Sequence, residues 1–435
     1  MTSQFSISPE WIASESGTQE VRQTSARLRI TLDGHVVTRV EDEWSKSVRN
    51  EVFLSAYPLA LWFAASWWRL RWEPALADAE PPSGAWRMAH ETAAAGYGFV
   101  WPRLVFASDG ETVEVICHRT NAHPTEPIRY LEDFRESMPV QVFERTIDAF
   151  ITLVLARLDT VGLPNTELAG MWQELREERR DPESSVYRRL EAQLGCEPDE
   201  APAETVERLM TLSSKAGKAA IAEIALVCAG TDPGQRLTEV IELAQSQGIE
   251  GSIQLPDNLS QWLKRPEFQQ SAPWERGKLL ARHARASWAL GTDRIDDTML
   301  STIFNVDIYS EQRMPRAKQP LGLGVRNGSP HCVKFLFHEP YRYRSTRRFE
   351  AARFLADMLA APAEDHWLPA TGTKTARQKL QRAFAAEFLC PIAILREHLN
   401  GDLSDEAIEE AGEYFDVSPL MVRSHLANNG LLPRF

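Results

Sequence analysis

The hydrophobic period of the chain changes near Pro139, and that change constrains the architecture more than any other feature. Before it, TSARLRITLDGHVVTRV (residues 24–40) reads as two alternating runs joined at Asp33-Gly34, a dipeptide that accepts positive φ at both central positions of a tight hairpin. FVWPRLVFA and ETVEVIC flank Asp109-Gly110 in the same way. Beyond Pro139 the apolar residues recur at helical spacing. VQVFERTIDAFITLVLARL is the clearest amphipathic helix, and MWQELREERR, SVYRRLEAQL, AETVERLMTL and GKAAIAEIALVCA follow it. The charges of Glu174 to Arg180 fall at i,i+3 and i,i+4 and read as a solvated helix face. The expectation is an α+β protein: a mixed α+β domain over 1–138, a helical domain over 139–232, a linker over 233–270, and a mostly helical domain with a small sheet over 271–435. Cys196 to Ala203, CEPDEAPA, is a second linker candidate.

Composition excludes several function classes. With 43% hydrophobic and 25% charged residues the 435-residue chain belongs with folded proteins rather than disordered ones. Its formal charge of -13 argues against sequence-independent nucleic-acid binding by the chain as a whole. The five cysteines are far apart, odd in number and without a CxxC pair, which points to a reducing compartment. Met1 to Ser16 contains Glu10 and Glu15 and no apolar core, so the expected address is cytoplasmic. The uncharged run Val52 to Trp68 contains Pro58 and ends against Arg69 and Arg71. It is short for a membrane span and is read as a buried helix, with a span or interfacial anchor as the alternative. Trp62, Trp67, Trp68, Trp72, Trp86 and Trp101 lie in or near it. Packing is the expected use of these indoles, and stacking platforms for a ligand are the alternative.

The C-terminal third carries a distinctive succession. Pro273-Trp274-Glu275-Arg276-Gly277 opens a helix, IDDTMLSTIFNV follows, and HCVKFLFHE is a strand candidate. Arg347-Arg348-Phe349 then leads into EAARFLADMLA, QRAFAAEFLCP spans 381–391, and the chain closes with EEAGEYFDVSPLMVRSHLANNGLL. In that order these segments resemble the ImmA/IrrE family of zinc-dependent peptidases. The family pattern runs from arginine-arginine-phenylalanine into an HExxH helix, then an ANxFAAExLMP helix, then a helix-turn-helix-like ending. The resemblance covers about residues 271–432, with FAAEFLCP and FDVS its most specific part, and implies a zincin-like fold and a regulatory, stress or mobile-element defence context.

Chemistry departs from that pattern at each of its reactive positions. An HExxH helix works because histidines at i and i+4 bind zinc from one face while the glutamate between them activates water. Aligned on Arg347-Arg348-Phe349, the first histidine becomes Arg353, the glutamate Phe354 and the second histidine Asp357; the third ligand falls on Gln378. Arginine does not ligate zinc and phenylalanine accepts no proton. The expectation is therefore no catalytic residue, no metal ligand and no cofactor, with Arg353 and Asp357 paired at i,i+4 beside Gln378. The alternatives are an exposed helical ion pair, or a relocated zinc site built from Asp357, His366 and His338. Neither His90-Glu91 nor His338-Glu339 has a second histidine at helical spacing, and the chain has no G-x-S-x-G elbow or phosphate-binding glycine loop.

Charge points to a different surface. Residues 313–348 contain Arg313, Arg316, Lys318, Arg326, Lys334, Arg342, Arg344, Arg347 and Arg348 against Glu339 alone. Interleaved with Tyr341 and Tyr343, this segment is a candidate binding surface for an acidic protein segment or a nucleic-acid backbone, with a solvated strand face as the alternative. The last two helices, around Ser418 and Pro419, have a helix-turn-helix outline, but Asp405, Glu406, Glu409, Glu410 and Glu413 would repel phosphate, so a structural role is expected. The leading expectation is a catalytically silent binding or sensing module with a protein partner and no membrane role. A diverged zinc endopeptidase and a DNA-binding regulator are the competing ones.

Overall fold

The computed structural model describes residues 3–75, 81–121, 127–256, 258–309, 318–327, 329–338 and 344–433. The protein is mixed α+β with several small antiparallel sheets. It divides into two compact units, Met1–Ala201 and Pro202–Phe435.

In the first unit Phe5–Trp11 runs antiparallel to Ser25–Leu32, which pairs on its other side with His35–Val36 and Val52–Ser55. Asp33 and Gly34 hold φ of 46° and 93°, as the hairpin between Leu32 and His35 requires. A second sheet places Thr112–His118 between Arg103–Ser108 and Phe134–Pro139, and a third joins Val48–Arg49, Val40–Asp42 and Ile128–Tyr130. The apolar run after Val52 becomes a strand and then two short helices, Ala56–Ala65 and Trp67–Trp72. Pro58 falls in the first helical turn, where no intrahelical N–H bond is lost. Among the described residues no helix is long and apolar enough to cross a membrane. The indoles pack: Trp62, Trp67, Trp68, Trp86 and Trp101 are buried, and Trp72 lies between the guanidinium groups of Arg71 and Arg189, each 3.9 Å from its ring.

Two expected boundaries are corrected. The helices Val140–Thr160, Glu167–Arg180 and Pro182–Gln193 share a core with the preceding strands, Phe143 lying 5.5 Å from Phe106, so Pro139 marks a change of period within one unit. The residues read as a helical domain over 139–232 are divided near the Pro-rich segment 196–203. There Glu197 and Asp199 are bound back to Arg69 and Arg188 at 2.8 Å each. The span 233–270, read as a linker, contains the helix Pro233–Gln245 and the strand Ile249–Ser252, which pairs with residues 332–335.

The second unit contains the helices Ala203–Ala216, Lys218–Cys228 and Pro233–Gln245 and one antiparallel sheet, in the order Ile249–Ser252, Ser329–Leu336, Gly322–Asn327, Trp367–Ala370. Phe335 and Phe337 meet Phe354 of the helix Arg344–Ala360, with ring centroids 5.5 and 5.6 Å apart. The helix Pro273–Ser287 lies close against Ala376–Leu389 because Gly277 has no side chain: a Cβ there would come within 2.4 Å of the Leu380 carbonyl. Ile392–Leu399, Asp405–Phe415 and Pro419–Asn428 complete the unit. Ser418 accepts from the Met421 N–H, and Pro419 opens the last helix.

Candidate functional site

The helix Arg344–Ala360 carries Arg353, Phe354 and Asp357 on an apolar body. Ala351, Ala352, Phe354, Leu355, Met358 and Leu359 are buried, so the polar side chains between them must find partners inside the fold. Phe354 is fully buried among the phenylalanines of the sheet and belongs to the core. One turn-setting residue aligns the neighbouring helix: Thr375 caps it and accepts from the Gln378 N–H at 3.2 Å. That cap brings Gln378, which has no solvent exposure, under the end of the strand Trp367–Ala370.

Gln378 is satisfied on both ends of its amide. Its Oε1 accepts from Arg353 Nη2 and from the Thr371 N–H at 3.0 Å, and its Nε2 donates to the Pro369 carbonyl at 2.9 Å. Arg353 Nη2 donates also to the Thr371 carbonyl at 2.6 Å. Asp357 does not pair with Arg353. It receives Arg377 in a bidentate contact, Nη2 at 2.8 Å and Nε at 3.0 Å, and the same guanidinium donates through Nη1 to Asp365 at 2.7 Å. The expected i,i+4 pair is thus replaced by two separate contacts. A planar fork that serves two buried carboxylates from the next helix is a stronger partner for Asp357 than one flexible arginine on its own helix. Burial pushes the Arg353 guanidinium below its ordinary pKa and the Asp365 carboxyl above its own, while the carboxylates around Arg377 hold that group well above the usual arginine range.

Glu223, from the helix Lys218–Cys228, is buried at the edge of this cluster. It accepts from Thr373 Oγ1 at 3.2 Å, and burial raises its pKa. Arg382 reaches the Thr373 carbonyl at 2.6 Å. The donor set does not suit zinc. The two aligned oxygen-bearing side chains that could ligate, Asp357 and Gln378, already accept from Arg377, Arg353 and a backbone N–H, and a cation would have to sit beside two guanidinium groups. Among the described residues no three His, Cys, Asp or Glu side chains gather in a way that could hold a metal; the alternative trio of Asp357, His366 and His338 is not assembled.

Of the six described residues of the expected basic surface, four are used inside the chain and two, Lys318 and Arg344, are exposed. Arg313, Arg316 and Arg342, with Tyr341 and Tyr343, lie outside the described residues. Arg326 Nη1 donates to the carbonyls of Pro362 and Asp365 at 2.8 Å each. Lys334 caps the helix Pro233–Gln245 through the carbonyls of Ala244 and Ser246, at 2.9 and 2.8 Å. Arg348, with no solvent exposure, meets Asp297 and the Ile295 carbonyl. Arg344 shares Asp297 and lies 3.3 Å from Asp416. Arg347 is buried 5.4 Å from the Phe337 ring. Lys318 is exposed on the approach to Gly322–Asn327. The reading of Arg326, Lys334, Arg347 and Arg348 as a presented surface is therefore corrected: the fold brings carbonyl or carboxylate groups to Arg326, Lys334 and Arg348 and buries Arg347 against Phe337, whereas Arg344 stays largely exposed beside Asp297 and Asp416.

Two anchors escaped the sequence reading. Glu387, inside FAAEFLCP, is buried and binds Arg282 at 2.8 Å, the Ile392 N–H at 3.3 Å and His425 at 3.5 Å. Burial raises its pKa, but the His425 and Arg282 contacts outweigh that and leave it lowered. In the first unit His90 is wholly buried. Its Nδ1 lies 2.7 Å from the Phe106 carbonyl, which can only accept, and its Nε2 lies 3.0 Å from Glu73, itself bound by Arg69 at 2.7 Å. The single sequence signal for either was an ionisable residue placed among apolar ones.

No protein-family model, no curated protein and no solved structure matches this chain.

Proposed function

We propose that the chain is a catalytically silent relative of the ImmA/IrrE peptidases, acting as a binding or sensing module in a bacterial regulatory, stress or mobile-element defence context. The observation that carries this reading is the closure of Arg353, Thr371 and Gln378 on one another, with Asp357 held by Arg377. At the positions where the resemblance places the zinc ligands, Gln378 and Asp357 already accept from Arg353, the Thr371 N–H and Arg377, and Arg353 gives its Nη2 to Gln378 and Thr371, although its buried Nε has no hydrogen-bond partner. A buried polar cluster whose candidate ligands are already bound in this way has positional and structural value without a reacting atom. The same resemblance, with its FAAEFLCP and FDVS segments, supports a body that retains the family outline while its partner is a protein.

The test is metal content and peptidase activity of the purified full chain after dialysis against zinc. The expected outcome is no stoichiometric zinc and no cleavage of protein substrates. One equivalent of zinc per chain, lost together with proteolysis in Asp357→Ala, would put the diverged-peptidase reading in its place. Salt-sensitive binding of duplex DNA would favour the DNA-binding regulator.

A further inference from the structure

The sheet of the second unit has an open edge at Ile249–Ser252, on the side away from Trp367–Ala370. Ile253 N donates to the His331 carbonyl at 3.1 Å, which makes that cross-strand pair a hydrogen-bonded one. In an antiparallel ladder the classes alternate, so Gly251 opposite Val333 and Ile249 opposite Phe335 are also hydrogen-bonded pairs. Glu250 and Ser252 then belong to the other class, and their N–H and C=O groups point away from Ser329–Leu336. Among the described residues Ile249–Ser252 pairs with no second strand. Beside this edge lies a cavity of about 220 Å³ whose floor is the cross-strand pairs Glu250 with Lys334 and Ser252 with Cys332, and whose rim includes Asn305 and Asn327. The Lys334 ammonium is held by the carbonyls of Ala244 and Ser246, whereas Glu250 is exposed and makes no ion pair among the described residues. The uncommitted charge in the cavity is a carboxylate.

We propose that this edge receives an extended peptide segment of a partner protein, which adds as a strand to Ile249–Ser252 and places a lysine or arginine side chain in the cavity against Glu250. Main-chain bonds to Glu250 and Ser252 supply affinity, and the cavity reads one alternate side chain. The strand that leads to Thr371 and the Arg353 cluster, Trp367–Ala370, is at the opposite edge of the sheet, so the two features are separable. The proposal rests on the binding-module reading and names its partner chemistry.

The test uses the full chain and three labelled synthetic peptides followed by fluorescence anisotropy: Thr-Val-Lys-Val-Thr with blocked ends, its glutamate counterpart, and the lysine peptide with alternate backbone amides methylated. The lysine peptide should bind about tenfold more tightly than either of the others, and Glu250→Lys should reverse the preference between lysine and glutamate. Ser252→Pro removes an outward N–H at an edge position, together with the hydroxyl that accepts from Asn305 Nδ2 at 3.2 Å, and should weaken the lysine peptide about tenfold, whereas Ser252→Ala, which loses the hydroxyl alone, should not. If Ser252→Pro fails to fold, Glu250→Gln should abolish the discrimination by charge. Equal binding of all three peptides, no binding at millimolar concentration, or a preference unchanged in Glu250→Lys would overturn the proposal. Zinc uptake with the expected peptide preference would overturn the silent-relative reading alone. Metal-free protein without peptide binding would overturn this proposal alone.

Discussion

Each unit buries an arginine between two carboxylates, Arg69 between Glu73 and Glu197 and Arg377 between Asp357 and Asp365, and the first cluster adds a histidine beside one of its carboxylates. In the first, one carboxylate has two donors: Glu73 is bound by Arg69 and by His90, and Arg69 reaches further to Glu197 and the Ala85 carbonyl. In the second, one arginine serves two carboxylates, Asp357 and Asp365. The Arg69 cluster sits in a unit with no readable chemistry, and the Arg377 cluster sits where a peptidase resemblance places a metal. Their physical construction is nonetheless similar. Burial and mutual saturation of charges are properties of a well-satisfied core as much as of a site, and what separates a site is an uncommitted group facing space.

The comparison breaks most sharply on removal of the arginines. Arg377→Ala leaves two buried carboxylates without their cation and should destabilise by about 3–5 kcal/mol. Arg69→Ala leaves Glu73 with His90 and should cost about 2–3 kcal/mol. Urea unfolding of the two variants checks the order, and an equal or reversed ranking would show that the shared arginine is not the keystone of the second cluster. Next in size is Gln378→Ala, expected at about 3 kcal/mol because the Thr371 N–H, the Pro369 carbonyl and Arg353 all lose a partner in a buried place. Asp357→Ala should cost less, about 2 kcal/mol, since Arg377 retains Asp365.

Two buried glutamates of the second unit sharpen the contrast through pH. The carboxyl of Glu387 is lowered in the folded protein, so its contribution to stability is present above its unfolded value of 4.5 and is lost as pH falls through the folded value. Glu223 is raised, so its contribution is full below 4.5 and is lost as pH rises through the folded value. Glu387→Gln should therefore destabilise by about 1–2 kcal/mol at neutral pH, with the difference vanishing in acid. Glu223→Gln should raise the neutral-pH stability and remove its decline with rising pH. Unfolding midpoints across that range decide both, and a shared sign would contradict the assignment. Arg344→Ala gives the smallest effect, under about 1 kcal/mol, because its contacts with Asp297 and Asp416 are made from a largely exposed side chain.

What could be read from sequence was local. The Asp33-Gly34 and Asp109-Gly110 turns, the Ser418 cap and the helices beyond Pro139 depend on residues within one turn or one hairpin, and each appears where periodicity and turn chemistry put it. The helix Pro233–Gln245, capped by Asp232 and apolar at Leu237, Val240 and Leu243, carries a local signal that the linker reading of 233–270 passes over, whereas the pairing of Ile249–Ser252 with a strand some eighty residues later has none. The same limit applied to the polar cluster. Spacing brought Arg353 and Asp357 to one helix but could not show that Arg377 approaches Asp357 from the next helix, or that Gln378 turns its amide under Thr371. The basic residues between Lys318 and Arg348 look like a surface when counted along the chain, because counting is blind to the carbonyls that the fold delivers to Arg326 and Lys334.

The most direct test of the central claim is the unfolding midpoint of the wild-type full chain with excess zinc and with a chelator. A cluster closed by Arg353, Gln378, Asp357 and Arg377 needs no ion, so the midpoint should be the same in both solutions and should fall equally in both when Gln378 is replaced by alanine. A midpoint raised by zinc, returned by the chelator and insensitive to zinc in Asp357→Ala would contradict it.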